Sequence, residues 1–443
     1  MSIPINTIPQ GAMQILKTLQ ENNFQAFLVG GCVRDLLLGF TPIEWDITTS
    51  AKPEEVVKLF TKVIPTGIDY GTVTILLSDG QYEVTTYRSD EKYIDGRHPS
   101  NVRFTGDIHQ DLARRDFTIN ALAFNPTTGQ LIDDHQGQKD LKTKLIRAIG
   151  DPIERFSEDG LRSIRACRFA AKLNFLIEPE TFKAINKTLS ITQKVAPERI
   201  HDEILKILSS AKPSIGLDLL TISGIMLLII PELITCQGVE QPPEFHQFDV
   251  YWHSLYACDA APANNYLVRL AALLHDIAKP TCKVDLTFYN HDKQGEKIAC
   301  QILQRMRFSK NDIERVTNLI SNHMFNYSTD WGDAAVRRFI RRVGLENISD
   351  LFLLRQADCT AMSSQIGTTY LSELQGRIDK IIADQNALHI KDLKIDGQDI
   401  MHTLNLPPGP KIGQILNSLL EKVLDNPELN TKDSLLRLIK ENA

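Results

Sequence analysis

Two consecutive glycines, Gly30 and Gly31, join a strand-like run to a short apolar helix, and this junction constrains the fold more than any other feature of the chain. Apolar residues alternate before the glycines and follow a helical spacing after them. Such a junction exposes backbone N–H groups at the start of the helix, which suits a phosphate group. Arg34 adds a planar cation that can bind phosphate oxygens through two N–H groups. The sequence therefore predicts mixed α/β structure with a phosphate-binding turn.

Carboxylates occupy two predicted strands that follow this turn. Glu44 and Asp46 alternate along the predicted strand 43–48, and residues i and i+2 of a strand share a face. Glu83 lies in the predicted strand 81–87, which an Asp-Gly hairpin signal joins to the strand before it. If the two strands are neighbours, three carboxylates meet and can hold Mg²⁺ for phosphoryl or nucleotidyl transfer. The competing interpretation is a solvated strand face and a surface glutamate.

A pair of arginines, Arg114 and Arg115, precedes an apolar segment. One of them could clamp a triphosphate, because guanidinium groups bind phosphates through paired hydrogen bonds. The alternative is a salt bridge to Asp111 or Asp116, which flank the pair. Both interpretations stay open at the level of the sequence.

A later arginine-rich segment has the sharpest pattern. Arg162, Arg165 and Arg168 recur every three residues, which places them within one face of a predicted helix. Three stacked cations repel one another, so the pattern indicates a face that meets phosphates. Asp159 lies three residues before Arg162, and a carboxylate with a guanidinium can read the edge of a base. An ordinary ion pair between these two residues is the alternative.

Residues in the C-terminal half predict a separate metal site. Histidines and aspartates spread over several predicted helices can converge on one or two divalent metals in a helical bundle. A lone His-Asp pair is a weak signal, because most histidines are ordinary core or surface residues, whereas six candidates are a stronger one. The six are His253, His275, Asp276, His291, His323 and Asp358.

Composition limits the classes of protein to which this chain can belong. The chain has 443 residues, 42% of them hydrophobic, which is enough for about two to four domains and excludes wholesale disorder. With a net charge of −6, any nucleic-acid surface must be a local basic stripe. The seven cysteines form no Cys-x-x-Cys pair, which argues against a disulfide framework and favours a reducing cytosol. Without a secretory signal or a spanning run, we expect a cytoplasmic protein with no membrane partner.

Together these motifs resemble the class II tRNA nucleotidyltransferases, the bacterial CCA-adding enzymes of the polymerase-β-like superfamily. The segments that carry the resemblance are 30–35, the Glu44/Asp46 pair, 114–121 and 158–169. The resemblance implies an α+β protein, in which a nucleotidyltransferase head with a mixed sheet and helices is followed by an all-α neck, body and tail. The implied boundaries are 1–140 for the catalytic head, 141–212 for the nucleotide-selecting neck, 213–380 for the body with an HD domain, and 381–443 for the tRNA-binding tail.

The resemblance also implies the reaction and its residues. The expected reaction is template-independent addition of CCA to the 3′ end of tRNA from CTP and ATP, with release of pyrophosphate. Glu44 and Asp46 would hold Mg²⁺, with Glu83 as the third catalytic carboxylate. The implied nucleotide-binding residues are Gly31 and Arg34 at the triphosphate, and Arg115, Asp159, Arg162, Arg165 and Arg168 in the nucleotide pocket. In this family the pair at positions 159 and 162 stands in for a template and pairs with the incoming base.

The chain departs from the family pattern near the metal site. Glu44 stands where the family normally has aspartate, and its extra methylene group is either accommodated by the backbone or weakens the Mg²⁺ site. Tyr70 replaces the histidine that usually precedes Gly71. Segment 88–103 resembles the flexible loop that permits the switch from C to A, which favours full CCA addition.

Alternative functions remain at the level of the sequence. A bacterial poly(A) polymerase shares the head, although the stretch 66–73 resembles the CCA version, and a partial enzyme would add only C or only A. The six-residue His/Asp set resembles an HD-family phosphohydrolase domain with Mn²⁺ or Ni²⁺ as a second divalent metal. Hydrolysis beside a weakened head is therefore a further alternative. A non-catalytic RNA-binding protein is the last, and the intact carboxylates and arginines argue against it.

Overall fold

The computed structural model describes residues 3–90, 102–362, 367–384 and 387–441. The chain forms two compact units, Met1–Pro231 and Glu232–Ala443, called here the N-terminal unit and the C-terminal unit. The four-part division into head, neck, body and tail is finer than these units and stays a prediction. Among the described residues, no helix is both long and apolar enough to cross a membrane.

The strands are β1 (Ala26–Val29), β2 (Asp46–Thr49), β3 (Val63–Gly67), β4 (Thr72–Leu77), β5 (Gly80–Thr86), β6 (Arg88–Asp90), β7 (Val102–Phe104), β8 (Ala123–Asn125), β9 (Gln130–Ile132), β10 (Leu145–Ile146) and β11 (Leu176–Ile177). The helices up to the unit boundary are α1 (Gln10–Glu21), α2 (Gly31–Leu37), α3 (Pro53–Leu59), α4 (Ile108–Ala113), α5 (Gly137–Thr143), α6 (Pro152–Glu158), α7 (Leu161–Leu173), α8 (Pro179–Lys187), α9 (Leu189–Thr192), α10 (Pro197–Leu208), α11 (Pro213–Ile222), α12 (Ile225–Ile229) and α13 (Pro231–Ile234).

The helices that follow are α14 (Val250–Ala260), α15 (Tyr266–Leu274), α16 (Lys279–Cys282), α17 (His291–Arg305), α18 (Lys310–Asn322), α19 (Asp333–Val343), α20 (Leu345–Ala361), α21 (Thr369–Ala383), α22 (Gly397–Leu404), α23 (Pro410–Asp425) and α24 (Lys432–Glu441). Short 3₁₀ helices cover Ile5–Thr7, Ile68–Tyr70, Thr118–Asn120, Ile390–Asp392 and Pro427–Leu429.

A mixed sheet forms the centre of the N-terminal unit, with the strand order β3-β4-β5-β2-β1-β8-β9. β2 runs parallel to β5 and antiparallel to β1, and β4 and β5 form the hairpin that the Asp-Gly signal predicts. All four residues of β1 are buried, as expected for a strand in the middle of a covered sheet. The sheet with its helices, followed by a largely helical remainder, confirms the predicted α+β class.

A hydrophobic cluster lies around β1, the strand that pairs with β2 in the sheet. It draws side chains from β1, β8, β9, α4 and the segments next to them. Its members are Phe27, Val29, Tyr87, Ile108, Leu112, Ala121, Ala123, Ile132 and Ile149. Burial of this apolar surface stabilises the part of the sheet formed by β1, β8 and β9.

The predicted strand 43–48 begins later than the sequence indicated. β2 starts at Asp46, while Glu44 lies in a bend before it and is exposed. The reason is that β1 ends at Val29, where the chain turns, so no residue of β1 remains to pair with the chain before Asp46. The prediction that Glu44 and Asp46 share the face of one strand is therefore wrong.

The predicted C-to-A loop, 88–103, begins and ends in paired strands. β6 and β7 pair in antiparallel fashion, with Arg88 opposite Phe104. Residues 91–101 lie outside the described residues, so the assignment of this loop stays a prediction.

The C-terminal unit is built from helices that pack in pairs. α14 packs against α15 and α20, α17 packs against α18, and α18 also contacts α15. Asp396 and Asp399 form a capping box at the start of α22, and Pro410 is the first residue of α23. This arrangement brings the ends of α15 and α18 close to α14, α17 and α20.

Candidate active site and candidate metal centre

Strand pairing brings Asp46 and Glu83 together in the N-terminal unit. Asp46, the first residue of β2, is directly opposite Glu83 of the parallel strand β5. Neighbouring strands lie about 4.8 Å apart and residues in register point to the same face, so the two carboxylates are adjacent. The charge of Glu44 also raises the pKa of Asp46, so the Glu44 carboxylate lies near that of Asp46. The condition under which Glu83 joins the other carboxylates, that its strand neighbours the strand of Asp46, is therefore met.

The ionisation of Asp46 reflects this crowding. Its pKa is raised to about 6, with burial as the largest cause and Arg115 acting against it. Glu83 and Glu44 raise the pKa further, because like charges nearby disfavour the ionised form. A divalent cation would relieve this repulsion, and carboxylate oxygens are the ligands that Mg²⁺ prefers. The three carboxylates therefore fit a Mg²⁺ site.

Gly30 allows an arginine to approach these carboxylates. Its φ is +76°, and a Cβ atom there would lie 2.9 Å from Nη1 of Arg115 and 3.9 Å from Oδ2 of Asp46. Only glycine suits both the backbone conformation and the close approach. Arg115 Nη2 also donates to Asp111 Oδ2 at 3.2 Å, and Arg114 Nε donates to Asp111 Oδ1 at 3.0 Å. The salt bridge to Asp111, which was the alternative interpretation of this pair, is present for both arginines, and Arg115 also lies at the turn.

Arg34 is fixed at the same turn and is buried. Its Nε donates to Asp35 Oδ1 at 2.8 Å, and its Nη1 donates to Asn120 Oδ1 at 2.7 Å. Asn120 Nδ2 in turn donates to Asp116 Oδ1 at 3.1 Å. Asn120 therefore links Arg34 of α2 to Asp116, and Asp116 in turn pairs with Arg165 of α7.

Each arginine of the predicted stripe on α7 has a carboxylate partner. The pairs are Arg162–Glu158, Arg165–Asp116 at 2.6 Å and Arg168–Glu203 at 3.0 Å. Each partner comes from a segment outside α7. The argument that the three cations need phosphates to offset their repulsion is therefore wrong, because carboxylates already do so. A nucleotide at this face would meet arginines whose positions are fixed in advance.

Asp159 is bound by an arginine that the sequence did not single out. Its Oδ1 and Oδ2 accept from Nη1 and Nη2 of Arg199 at 3.2 Å and 2.8 Å. Arg162 pairs instead with Glu158 and donates to two backbone carbonyls, one of them that of Arg155 at 2.9 Å. Arg199 lies in the first turn of α10, 40 residues after Asp159, so no local pattern in the sequence reveals this contact.

Lys172 is a second cation that sequence reasoning missed. It follows Arg168 by four residues, which places both on the same side of α7. Partial burial lowers its pKa, Asp35 opposes that shift, and Arg34 adds to it. Glu44 acts on the same pKa, so Lys172 lies near the residue that departs from the family pattern. The helical spacing after Arg168 could have revealed it.

Asp116→Asn is expected to destabilise the protein by about 3 kcal/mol at pH 7, because Arg165 loses the charge that compensates its burial. Although burial acts to raise it, the pKa of Asp116 is held well below its ordinary value of 3.8, chiefly by Arg165. A depressed folded-state pKa stabilises the fold above about pH 4, and this contribution is lost as the pH falls. Urea unfolding at pH 7 and pH 3 should show a difference between wild type and variant that shrinks at pH 3.

The control for this experiment is Asp134→Asn, which changes a more exposed aspartate that pairs with His109. Asp134→Asn should lower the free energy of unfolding by less than about 1 kcal/mol. A difference between wild type and Asp116→Asn that is as large at pH 3 as at pH 7 would contradict the assignment.

All six predicted His/Asp residues meet in the C-terminal unit, and all are buried. His253 lies in α14, His275 and Asp276 follow α15, His291 starts α17, His323 follows α18, and Asp358 lies in α20. Two groups of three can each offer ligand atoms to one ion. These groups are His253, His275 and Asp358, and His275, Asp276 and His323.

The ligand atoms of this cluster face one another at short distances. His253 Nε2 lies 3.1 Å from Asp358 Oδ1, and His275 Nε2 lies 3.2 Å from Asp276 Oδ2. His291 Nε2 lies 3.3 Å from Asp276 Oδ1. Asp276 therefore links two histidines of the cluster, His275 through Oδ2 and His291 through Oδ1.

Backbone carbonyls fix the orientation of three of the rings. The Nδ1–carbonyl pairs are His275–Ala272 at 2.8 Å, His291–Phe288 at 2.7 Å and His323–Ile320 at 2.7 Å. A ring that donates its Nδ1–H to a carbonyl presents the lone pair of Nε2 to a metal. This is the orientation expected of histidine ligands.

The charges of the cluster also favour a cation. Burial acts to lower the pKa of His275, but Asp276 and Asp358 raise it to about 10. Burial and the nearby His275 lower the pKa of His323 to about 3. Histidines hold the pKa values of both carboxylates well below their usual range. Buried, ionised carboxylates beside these imidazoles fit a divalent metal, which would replace the proton of His275.

Lys279 is a further residue that the sequence analysis missed. Its Nζ lies 2.7 Å from Asp276 Oδ2 and donates to Gln241 Oε1 at 2.6 Å, and it lies 5.3 Å from the centre of the Phe288 ring. A lysine three residues after an aspartate at the end of a helix is the signal that could have found it.

A mixed sheet with paired carboxylates beside a glycine turn and a set of arginines defines a nucleotidyltransferase head. The model of the poly A polymerase head domain matches residues 26–147, and a model described as an RNA and SrmB-binding site of polymerase A matches residues 174–236. The model of tRNA nucleotidyltransferase domain 2 matches residues 286–439.

Relatives match almost the entire chain. A CCA-adding enzyme of Lactococcus lactis is 31% identical over 436 residues, which cover 97% of this chain and 95% of the relative. A CCA-adding enzyme of Levilactobacillus brevis is 34% identical over 440 residues, with 97% and 96% covered. The chain therefore belongs to the family of class II CCA-adding enzymes, which are tRNA nucleotidyltransferases.

Solved structures agree on the fold. A crystal structure of the Bacillus stearothermophilus CCA-adding enzyme in complex with CTP has a TM-score of 0.75 at 24% identity, covering 98% of this chain and 97% of that one. The Thermotoga maritima CCA-adding enzyme complexed with tRNA has a TM-score of 0.58 at 20% identity and covers 99% and 97%. At these identities the likeness concerns the fold alone.

Proposed function

We propose that this protein adds CCA to the 3′ end of tRNA, using CTP and ATP and releasing pyrophosphate. The observation that carries the proposal is the Asp46–Glu83 pair beside the Gly30 turn, with Arg34 and Arg115 at the same place. The 3′-hydroxyl of tRNA attacks the α-phosphorus of the nucleotide. Membership of the CCA-adding family supports the choice of substrate over that of a poly(A) polymerase.

In the proposed site, the carboxylates would bind Mg²⁺ and the arginines would bind the phosphates of the nucleotide. Mg²⁺ held by Asp46, Glu83 and Glu44 would lower the pKa of the attacking hydroxyl and stabilise the leaving oxygen. Arg34 and Arg115 would bind the triphosphate, because their guanidinium groups match phosphate oxygens. Fixed donors cost little reorganisation when charge develops at the reacting phosphate.

Base selection is proposed for the start of α7. Asp159 can accept from an exocyclic amine and Arg162 can donate to ring acceptors of cytosine or adenine. Asp159 is held by Arg199 and Arg162 by Glu158, so a bound base would exchange or share these partners. This requirement makes Arg199 part of the proposed selection site.

Arg162→Ala is expected to change the choice between CTP and ATP more than it changes turnover. A good base contact provides about 1–3 kcal/mol of discrimination, so the ratio of kcat/KM for the two nucleotides should shift about tenfold or more. Turnover at saturating nucleotide should fall less. Arg147→Ala, which removes an arginine paired with Asp140 and Glu178, is the control. An unchanged nucleotide ratio in Arg162→Ala would refute the role in base selection.

The proposed reaction is tested by supplying the nucleotides separately. A tRNA transcript lacking its 3′ CCA is incubated with Mg²⁺ and CTP alone, ATP alone or both, and the products are resolved on a sequencing gel. Two additions with CTP and a third only when ATP is present support the proposal. Extension by CTP that ATP never completes would indicate a partial enzyme, and a long ladder with ATP alone would indicate a poly(A) polymerase.

The C-terminal unit carries a second candidate function, a metal-dependent phosphohydrolase activity of the HD type. The supporting observation is the convergence of the six buried His/Asp residues with three rings oriented by carbonyls. Mn²⁺ or Ni²⁺ bound to His253, His275, Asp276, His291, His323 and Asp358 would supply an activated water. Lys279, adjacent to Asp276, would place a cation beside a bound phosphate.

A further inference from the structure

One aromatic ring gathers three arginines in the N-terminal unit. The guanidinium carbons of Arg34, Arg165 and Arg168 lie 5.2, 5.3 and 4.1 Å from the centre of the Phe169 ring. Each distance is within the roughly 6 Å over which a ring face attracts a cation. Arg34 comes from α2, whereas the other two come from α7, so the ring joins two separate elements.

The ring is itself held in place. Phe169 is 4% exposed, and its ring meets that of Phe117 edge-on at 5.7 Å and 81°. Phe117 meets Phe156 in the same manner at 6.4 Å and 64°. An edge-to-face contact restrains the tilt of each ring. Phe169 therefore has one defined orientation toward the arginines.

Three cations around one ring must overcome mutual repulsion. Each has its own carboxylate or amide partner: Arg34 with Asp35 and Asn120, Arg165 with Asp116, and Arg168 with Glu203. Asn120 joins two of these partners, because it accepts from Arg34 and donates to Asp116, whereas Glu203 contacts Arg168 from a separate helix, α10. Burial and the nearby Arg165 lower the pKa of Arg168 to about 10, which indicates that the cations act on one another.

We propose that Phe169 is a positioning residue for the triphosphate: its ring keeps Arg34, Arg165 and Arg168 together, so that they act as one cationic site for the phosphates of CTP or ATP. The proposal rests on the proposed nucleotidyl transfer. Leucine at this position would preserve most of the packing and remove the attraction between ring and cation. Tyrosine would retain it.

The test compares Phe169→Leu, Phe169→Tyr and the control Phe156→Leu. Phe156 is also fully buried and contacts Phe117, but none of the three arginines lies over its ring in the part of the chain that the structure describes. We measure kcat and KM for CTP, inhibition by pyrophosphate, and equilibrium binding of CTP in the full-length protein. Thermal unfolding checks the fold of each variant.

Phe169→Leu is expected to raise KM for CTP and Ki for pyrophosphate about tenfold each, with kcat within about threefold of wild type. In Phe169→Tyr and Phe156→Leu, the KM for CTP, the Ki for pyrophosphate and kcat should all stay within about twofold of wild type. Unchanged KM and Ki in Phe169→Leu, or equal increases in both leucine variants, would overturn the proposal. If Phe169→Leu does not fold, Phe169→Met takes its place with the same expectation.

Failure of the proposed reaction is distinguishable from failure of this inference. A wild-type protein that never extends tRNA would refute the reaction. Equilibrium binding of CTP is measured without turnover, so the role of Phe169 is still decided. Loss of CTP affinity in Phe169→Leu with retention in Phe169→Tyr supports it, and equal affinity in all variants overturns it.

Discussion

Asp46→Ala is expected to reduce nucleotidyl transfer by at least about 10³-fold, which corresponds to about 4 kcal/mol of transition-state stabilisation. Asp46 is the carboxylate on which Glu83, Glu44 and Arg115 all act. Its removal leaves the proposed Mg²⁺ without its central ligand. The measurement is single-turnover extension of a tRNA lacking CCA at saturating CTP.

The binding of tRNA should separate loss of chemistry from loss of structure. Because phosphate contacts elsewhere supply most of the affinity for a nucleic acid, the Kd for tRNA in Asp46→Ala should stay within about twofold of wild type. Glu54→Gln, which changes an exposed acid in the first turn of α3, is the control and should retain full activity. Residual transfer above a few per cent in Asp46→Ala would show that the metal site lies elsewhere.

Asp276→Asn is expected to remove metal-dependent hydrolysis, by about 10²-fold or more, while CCA addition stays within about twofold of wild type. Asp276 bridges the two halves of the cluster through its two oxygens, and an amide cannot supply the charge that a divalent cation requires. The readouts are hydrolysis of a phosphodiester in the presence of Mn²⁺ or Ni²⁺ and the rise in Tm when the metal is added.

The matched control for this variant is Asp285→Asn. Asp285 is exposed and has a φ of +55°, a conformation that asparagine also tolerates. The control should retain both hydrolysis and the metal-dependent rise in Tm. If wild type shows neither hydrolysis nor a Tm shift with either metal, the second candidate function is refuted. If Asp276→Asn keeps both, the metal is bound by other residues.

Periodicity and motif order predicted much of this architecture, because both report local geometry. The strand–turn–helix at Gly30 and the β4–β5 hairpin depend on backbone conformations that glycine alone reaches easily. The six His/Asp positions were predicted as one set because they are spread over several predicted helices that can converge in a bundle. Their convergence is the finding that gives this set its chemical meaning.

Pairing between distant segments was not predictable in the same way. The start of β2 depends on where β1 ends, which strand-like spacing around Glu44 does not reveal. The carboxylates that pair with the arginine stripe come from outside α7. The spacing of residues within α7 does not show these partners, and the three cations therefore looked uncompensated. The contact between Asp159 and Arg199 joins residues 40 positions apart. Long-range partners of charged residues are the part that a single sequence leaves open.

The 3′-end sequence of the reaction products tests the central claim most directly. A tRNA lacking CCA is incubated with wild-type protein, Mg²⁺, CTP and ATP, and the 3′ ends of the products are sequenced. The account predicts that most molecules end in CCA and are not extended further, and that Asp46→Ala yields only the starting end. Unextended tRNA with wild type, or products that end in long A tracts, would contradict it.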